Sequence, residues 1–225
     1  MAKPVPDLLD LILNAADPET GREMNSAEVR DNLLAFIVAG HETTALALSW
    51  ALYLVAFAPS VQQRARSEAQ AVLQGRVAGA DDVPKLPYVR QIIDEALRLY
   101  PPAAILGRTA MADDTLGGRQ VRKGDTVMLP IYALHRNHLL WDNPDAFDPD
   151  RFAPDKKPTR YSYLPFGEGP RICIGAAFAQ IEAVIILATL LSRFKFERIP
   201  GIDPKPVLLI TLRPQGGVRL RVSPA

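Results

Sequence analysis

From Ser26 to Ala58 the chain holds no proline, and Pro59 ends the run. Asn25-Ser26-Ala27-Glu28 supplies an N-cap with an acid at the third helical position, the opening of one long helix. At about 1.5 Å of rise per residue that helix spans roughly 50 Å. It is apolar on almost every side, reading LLAFIVAG and then ALALSWALYLVAFA, so it must be surrounded by something. His41-Glu42-Thr43-Thr44 divides it into pieces shorter than the ~18 apolar residues of a membrane span, and a central Glu costs roughly 3 kcal/mol on insertion scales. A buried core helix is therefore expected. Thr43 and Thr44 can bond back to the carbonyls of Ala39 and Gly40, so the helix is expected to loosen there.

The remainder of the chain reads as mainly α with small β-sheets. Val61 to Gln74 predicts an amphipathic helix, Leu86 to Tyr100 another stopped by Pro101-Pro102, and Gly175 to Arg193 a third. Ile105 to Arg136 contains short hairpin signals at Gly117-Gly118 and Gly124-Asp125. Residues 137–170, rich in proline, aspartate and aromatics without periodicity, predict an irregular packed meander, and a closing hairpin is expected around Pro214 to Gly217. With 225 residues and 48% hydrophobic content the chain can bury a substantial core. Its 26 basic against 25 acidic residues give no reason to expect nucleic acid as a partner. One cysteine cannot form an intramolecular disulfide, and the first twenty residues lack a signal-peptide pattern, so a reducing, cytoplasmic location is expected.

That one cysteine, Cys173, lies in YSYLPFGEGPRICIGAAFAQ. Gly167, Gly169 and Gly175 allow sharp turns and close approach of a ligand, and the helix that follows turns its positive end toward the sulfur. Arg171 adds a cation two residues away. GEGPRI lacks the third glycine of a dinucleotide fingerprint, and no GK[ST] follows, so a phosphate cradle is excluded. Glu42 beside Thr43 in an apolar helix is the pairing that proton delivery into a dry pocket requires. Glu95 and Arg98, at i and i+3, read on spacing alone as a surface pair worth under about 0.5 kcal/mol. His135-Arg136-Asn137-His138 lacks the further ligands of a zinc site, and His135 is the one candidate base for a nucleophilic Cys173.

Taken in order, AGHETT (39–44), EALR (95–98), FDPDRF (147–152) and FGEGPRICIG (166–175) resemble the signature set of the cytochromes P450, the haem-thiolate monooxygenases. The resemblance implies the carboxy-terminal portion of that fold, with residues 1–225 as a single partial domain whose amino-terminal half is absent. It implies haem b as cofactor, with Cys173 as the thiolate ligand of the iron, Phe166 and Gly175 in the haem loop, and Arg108 and Arg171 pairing with the propionates. Glu95 and Arg98 would join Arg151 in a buried polar triad, against the surface reading from spacing. Glu42 and Thr43 would deliver protons. The implied partners are O2, a lipophilic small-molecule substrate lodged against Ala39, residues 103–106 and Ile210-Thr211, and an electron-donor protein of ferredoxin or flavodoxin type, for which Lys156, Lys157 and Arg160 offer a basic loop. The alternative is a catalytically incompetent fragment that packs or self-associates, since an apolar helix without its covering would expose a large adhesive surface.

Overall fold

The computed structural model describes residues 6–225, which divide into two compact units, one ending at Glu42 and the other beginning at Thr43. In the first unit, α1 (Leu8–Leu13) is closed at its start by a reciprocal cap between Asp7 and Asp10. The first part of α2 (Ser26–Phe57) follows. Its capping box forms as the sequence predicts, because Asn25 Oδ1 accepts from the amides of Ala27 and Glu28 while Glu28 Oε2 accepts from Asn25 N–H.

The second unit is built on three helices. They are α3 (Pro59–Leu73), α4 (Pro87–Leu99) and, much later, α6 (Ala176–Arg193). Ala65, Ala69 and Leu73 of α3, Val89, Ile92, Ile93 and Ala96 of α4, and Val184, Leu187, Ala188 and Leu191 of α6 share one buried core with Ala51 and Val55 from the end of α2. Trp50 is fully buried and stacks on Tyr100 with ring centroids 3.9 Å apart.

Between α4 and α6 run β1 (Leu106–Thr109), β2 (Asp114–Leu116), β3 (Arg119–Val121), β4 (Thr126–Leu129) and the single turn α5 (Ile131–Leu134). The Gly117-Gly118 hairpin is present, both glycines at positive φ and joining β2 to β3. Gly124-Asp125 makes a turn but no hairpin of its own. It leads into β4, which pairs with β1, so the small hairpin is inserted between two longer strands. Residues 137–170 form the expected irregular meander, with a 3-10 turn at Pro149–Phe152.

The carboxy-terminal strands are β5 (Phe194–Arg198), β6 (Pro206–Leu208), β7 (Leu212–Pro214) and β8 (Leu220–Pro224). The expected closing hairpin is corrected here. Residues 214–217 do turn, yet the strands on either side do not pair with each other: β7 returns to β6, and β8 pairs with β5. Both contacts of β5 are long-range. Gln62 of α3 bonds both the N–H and the C=O of Phe196, occupying one edge of β5 as a strand would, and β8 takes the other edge.

Two expectations for α2 are also revised. The helix is regular through His41 to Thr44 with no widening, since a threonine can share a carbonyl with the helical ladder without opening it. Only its later part is a core element, with Ala47, Trp50, Ala51, Leu54 and Val55 buried, whereas Leu34, Ile37 and Val38 are exposed. By length and composition α2 and α6 could each cross a membrane.

Candidate functional site

Backbone conformation shapes the loop before α6. Gly167 and Gly169 both sit at φ +75°, a region that strains any side chain. The chain then makes a 3-10 turn over Gly169–Arg171, and the Cys173 amide closes the loop by donating to Phe166 C=O at 2.9 Å. A Cβ on Gly167 would lie 3.5 Å from Leu106 Cδ1, which fixes the loop beside the start of β1. Gly175 is the N-cap of α6 and offers no capping side chain, so the first turn is held by backbone alone, Ala176 N–H to Cys173 C=O and Ala179 N–H to Gly175 C=O.

Phe166, Arg171, Cys173 and Gly175 are therefore gathered in one loop, with Arg108 on the neighbouring β1. The Cys173 thiol is free and exposed. Around it in sequence, Ile174 is 83% and Phe178 71% exposed, and Ile172 and Ile181 are also open. Arg108 and Arg171 are exposed, and among the described residues neither forms an ion pair. Arg108 Nη1 donates only to the C=O of Gly107, at 2.8 Å. Glu42 and Thr43 are consecutive on α2, each part-buried, at the end of the first unit and the start of the second.

Behind this loop lies a buried polar assembly that spacing alone misjudged. Glu95 and Arg98 are both fully buried, 2.7 Å apart, so the surface-pair reading fails and the triad implied by the resemblance is present. Arg98 uses all of its donors. Nε and one Nη2 hydrogen go to the Glu95 carboxylate, the other Nη2 hydrogen to Ala146 C=O, and Nη1 to the carbonyls of His135 and Pro144. Glu95 Oε1 also accepts from Asp148 N–H and faces Arg151 Nε at 3.5 Å. Burial pushes the Glu95 carboxyl above its usual range, opposed by the Arg98 guanidinium. The His135 carbonyl, together with two carbonyls and one amide of the meander, thus converges on a single pair in α4.

His135, weighed from sequence as a base for Cys173, is excluded from that role. It is fully buried, with both ring nitrogens engaged by the backbone at Arg98 and Leu164. Among the described residues no group of three or more His, Cys, Asp and Glu side chains could hold a metal ion. A lone exposed thiol does not cage a bare ion. An exposed thiol, exposed Ile174 and Phe178, and two guanidinia without ion pairs would fit a large, mostly apolar iron-bearing group that carries carboxylates. Two cavities, one of about 380 Å³ in the first unit and one of about 270 Å³ at Gln62, Arg66 and Phe196, are not lined by Cys173.

Residues 2–220 match the family model described as Cytochrome P450. The chain is 42% identical over 212 residues to cyclooctatin synthase of Streptomyces melanosporofaciens, covering 92% of this chain and 46% of that protein. It is 41% identical over 197 residues to cyclooctat-9-en-7-ol 5-monooxygenase of the same organism, covering 87% of this chain and 43% of that one. Its structure resembles that of a solved cytochrome P450, CYP102L1, with a TM-score of 0.91 and 38% identity, over 100% of this chain and 52% of the other. The chain thus spans about half the length of the relatives it matches.

Proposed function

The chain belongs to the cytochrome P450 family, and from that premise we propose that it forms the haem-thiolate part of a monooxygenase acting on a lipophilic substrate. The observation that carries this reading is Cys173, an exposed thiol at the head of α6, on a loop turned by Gly167 and Gly169 and flanked by exposed apolar side chains and two unpaired guanidinia. Haem b, when bound, supplies activation of O2, so that one oxygen atom enters a substrate C–H bond and the other leaves as water, with two electrons and two protons consumed.

The chain's own residues then divide the work. Cys173 would supply the thiolate that holds the iron, and it lies just before the positive end of α6, which favours thiolate over thiol. Arg108 and Arg171 would hold the propionates, and Phe166 packs against the core. Glu42 and Thr43 hold and pass protons from α2. Exposed Ile105, Leu209 and Ile210 offer an apolar surface for the substrate. A relative at 41% identity is named for oxygenation of cyclooctat-9-en-7-ol, which supports an apolar compound as the class. Electrons come from a ferredoxin- or flavodoxin-type protein, with exposed Lys156, Lys157 and Arg160 as a complementary surface.

The test is the spectrum of the haem-loaded, reduced chain under CO. The expected result is the red-shifted Soret band of thiolate ligation, lost in Cys173→Ala; loaded protein without that band overturns the assignment. A second reading, a chain that self-associates without turnover, is favoured by exposed Leu34, Ile37 and Val38 on α2. Substrate-dependent use of reductant coupled to product would exclude it.

A further inference from the structure

We propose that His135 is a positioning residue that sets the placement of the Cys173 loop, by joining the buried Glu95–Arg98 pair to the backbone of Leu164. The meaning given to that loop rests on the haem-thiolate reading above; the bond network does not.

His135 follows α5 and is fully buried. Its Nε2 lies 2.8 Å from Leu164 N, and an amide N–H can only donate, so Nε2 is the acceptor. In the neutral ring the proton is then on Nδ1, which faces Arg98 C=O at 3.2 Å. The two partners thus fix one tautomer between them. Arg98 is also held in the reverse direction, because its Nη1 donates to His135 C=O at 2.8 Å. From Leu164 the backbone needs only two residues to reach Phe166, whose C=O accepts the Cys173 amide. A continuous path runs from Glu95 through Arg98, His135, Leu164 and Phe166 to Cys173.

No other described side chain makes this link. Tyr163 OH donates to Asp94 on α4 and its ring lies beside His135, but Tyr163 grips the chain through a side chain, whereas His135 grips the peptide itself. A histidine is also a costly core residue, since a phenylalanine of similar volume would fill the space without burying polar nitrogens. Burial favours the neutral ring, with Arg98 and Arg136 nearby adding to the effect, and both ring nitrogens are occupied by backbone partners. What remains is the two-sided hydrogen bond.

Three variants separate the contributions. His135→Gln can place an acceptor near the Nε2 position, His135→Asn can reach only the Arg98 side, and His135→Phe keeps volume alone. Amide hydrogen exchange is followed in the full chain without haem at Leu164 and Cys173, with Ile92 and Ile93 of α4 as internal reference. The Phe and Asn variants are expected to lose about tenfold or more of protection at Leu164 and Cys173 with α4 unchanged, while Gln restores most of it. Equal loss in α4 and the loop, or undiminished protection in the Phe and Asn variants, overturns the proposal. So does a wild-type Leu164 amide that exchanges at the rate of an unstructured loop. A second readout is the fraction of thiolate-type CO spectrum in the haem-loaded variants, expected to fall in Phe and Asn and to recover in Gln. A wild-type chain with protected Leu164 and no thiolate band would sink the haem reading and leave the positioning role standing.

Discussion

Helix α2 is predominantly apolar, yet only 17% of its 18-residue apolar window is buried. Helix α4 carries Arg90, Gln91, Asp94, Glu95 and Arg98 in thirteen residues, and it is buried from Tyr88 to Leu99 with Arg90 as the single exception. Hydropathy and burial are thus inverted between the two. Burial follows from being packed on several sides at once, and α4 tolerates it because its buried charges are matched, although Gln91 Oε1 is left without a hydrogen-bond partner. Arg98 satisfies every donor, Glu95 meets three N–H partners, and Asp94 receives the Tyr163 hydroxyl and the Arg90 guanidinium. The apolar face of α2 has no such obligations and can remain open at the cost of adhesion.

The comparison breaks most directly at Arg98. Arg98→Lys keeps the charge but offers three rotatable donors in place of a planar fork of five, leaving buried carbonyls at His135, Pro144 and Ala146 short of partners. A loss of about 3–5 kcal/mol is expected, measured as a fall in the urea midpoint at unchanged slope. If Lys is tolerated within 1 kcal/mol or so, the meander is not held by this pair, and α4 is buried for packing alone.

The next effect is set by pH. Burial lowers the His135 pKa from 6.5 to about 4, with Arg98, Arg136 and the Tyr163 ring around it. Because the folded value is the lower one, the unfolded chain binds more protons in this window, and stability falls as pH drops from 6.5 toward 4. The penalty is complete below the folded value, where it reaches about 3 kcal/mol. Raised values at Asp94 and Glu95 act in the opposite sense. The difference between wild type and His135→Gln across that window isolates the histidine, and parallel urea-midpoint curves for the two would remove His135 as the cause.

Much of this molecule is legible in its sequence because the decisive signals are local. The Asn25 and Glu28 cap, the Gly117-Gly118 turn, the start of α6 and the glycine turns about Cys173 each lie within a few residues of what they determine. What spacing misjudged depends on partners far along the chain. Glu95 and Arg98 look like a surface pair until residues 135, 144, 146 and 148 arrive around them, and both partners of β5, Gln62 and β8, are distant in sequence. Helix α4 itself has no capping side chain at its start. Glu68 of α3 supplies one, accepting from the amides of Tyr88 and Val89 at 2.9 Å each, and no motif around Pro87 announces it. Glu68→Ala is accordingly expected to cost about 1–2 kcal/mol and Glu68→Gln less, read from thermal unfolding; equal losses would point to the acid's charge rather than its two acceptors.

The smallest expected effect lies on the other helix and sharpens the contrast from the α2 side. Ile37 and Val38 are 64% and 73% exposed, so replacing both by serine removes little buried area and should change unfolding free energy by no more than about 0.5 kcal/mol. Solution behaviour should change more than stability. If the open face is what drives association, the double variant moves the molar mass in light scattering toward that of one chain and makes the unfolding midpoint independent of protein concentration. A double variant that instead loses several kcal/mol would mean that this stretch is covered in solution, and the inversion between α2 and α4 would then belong to the isolated chain alone.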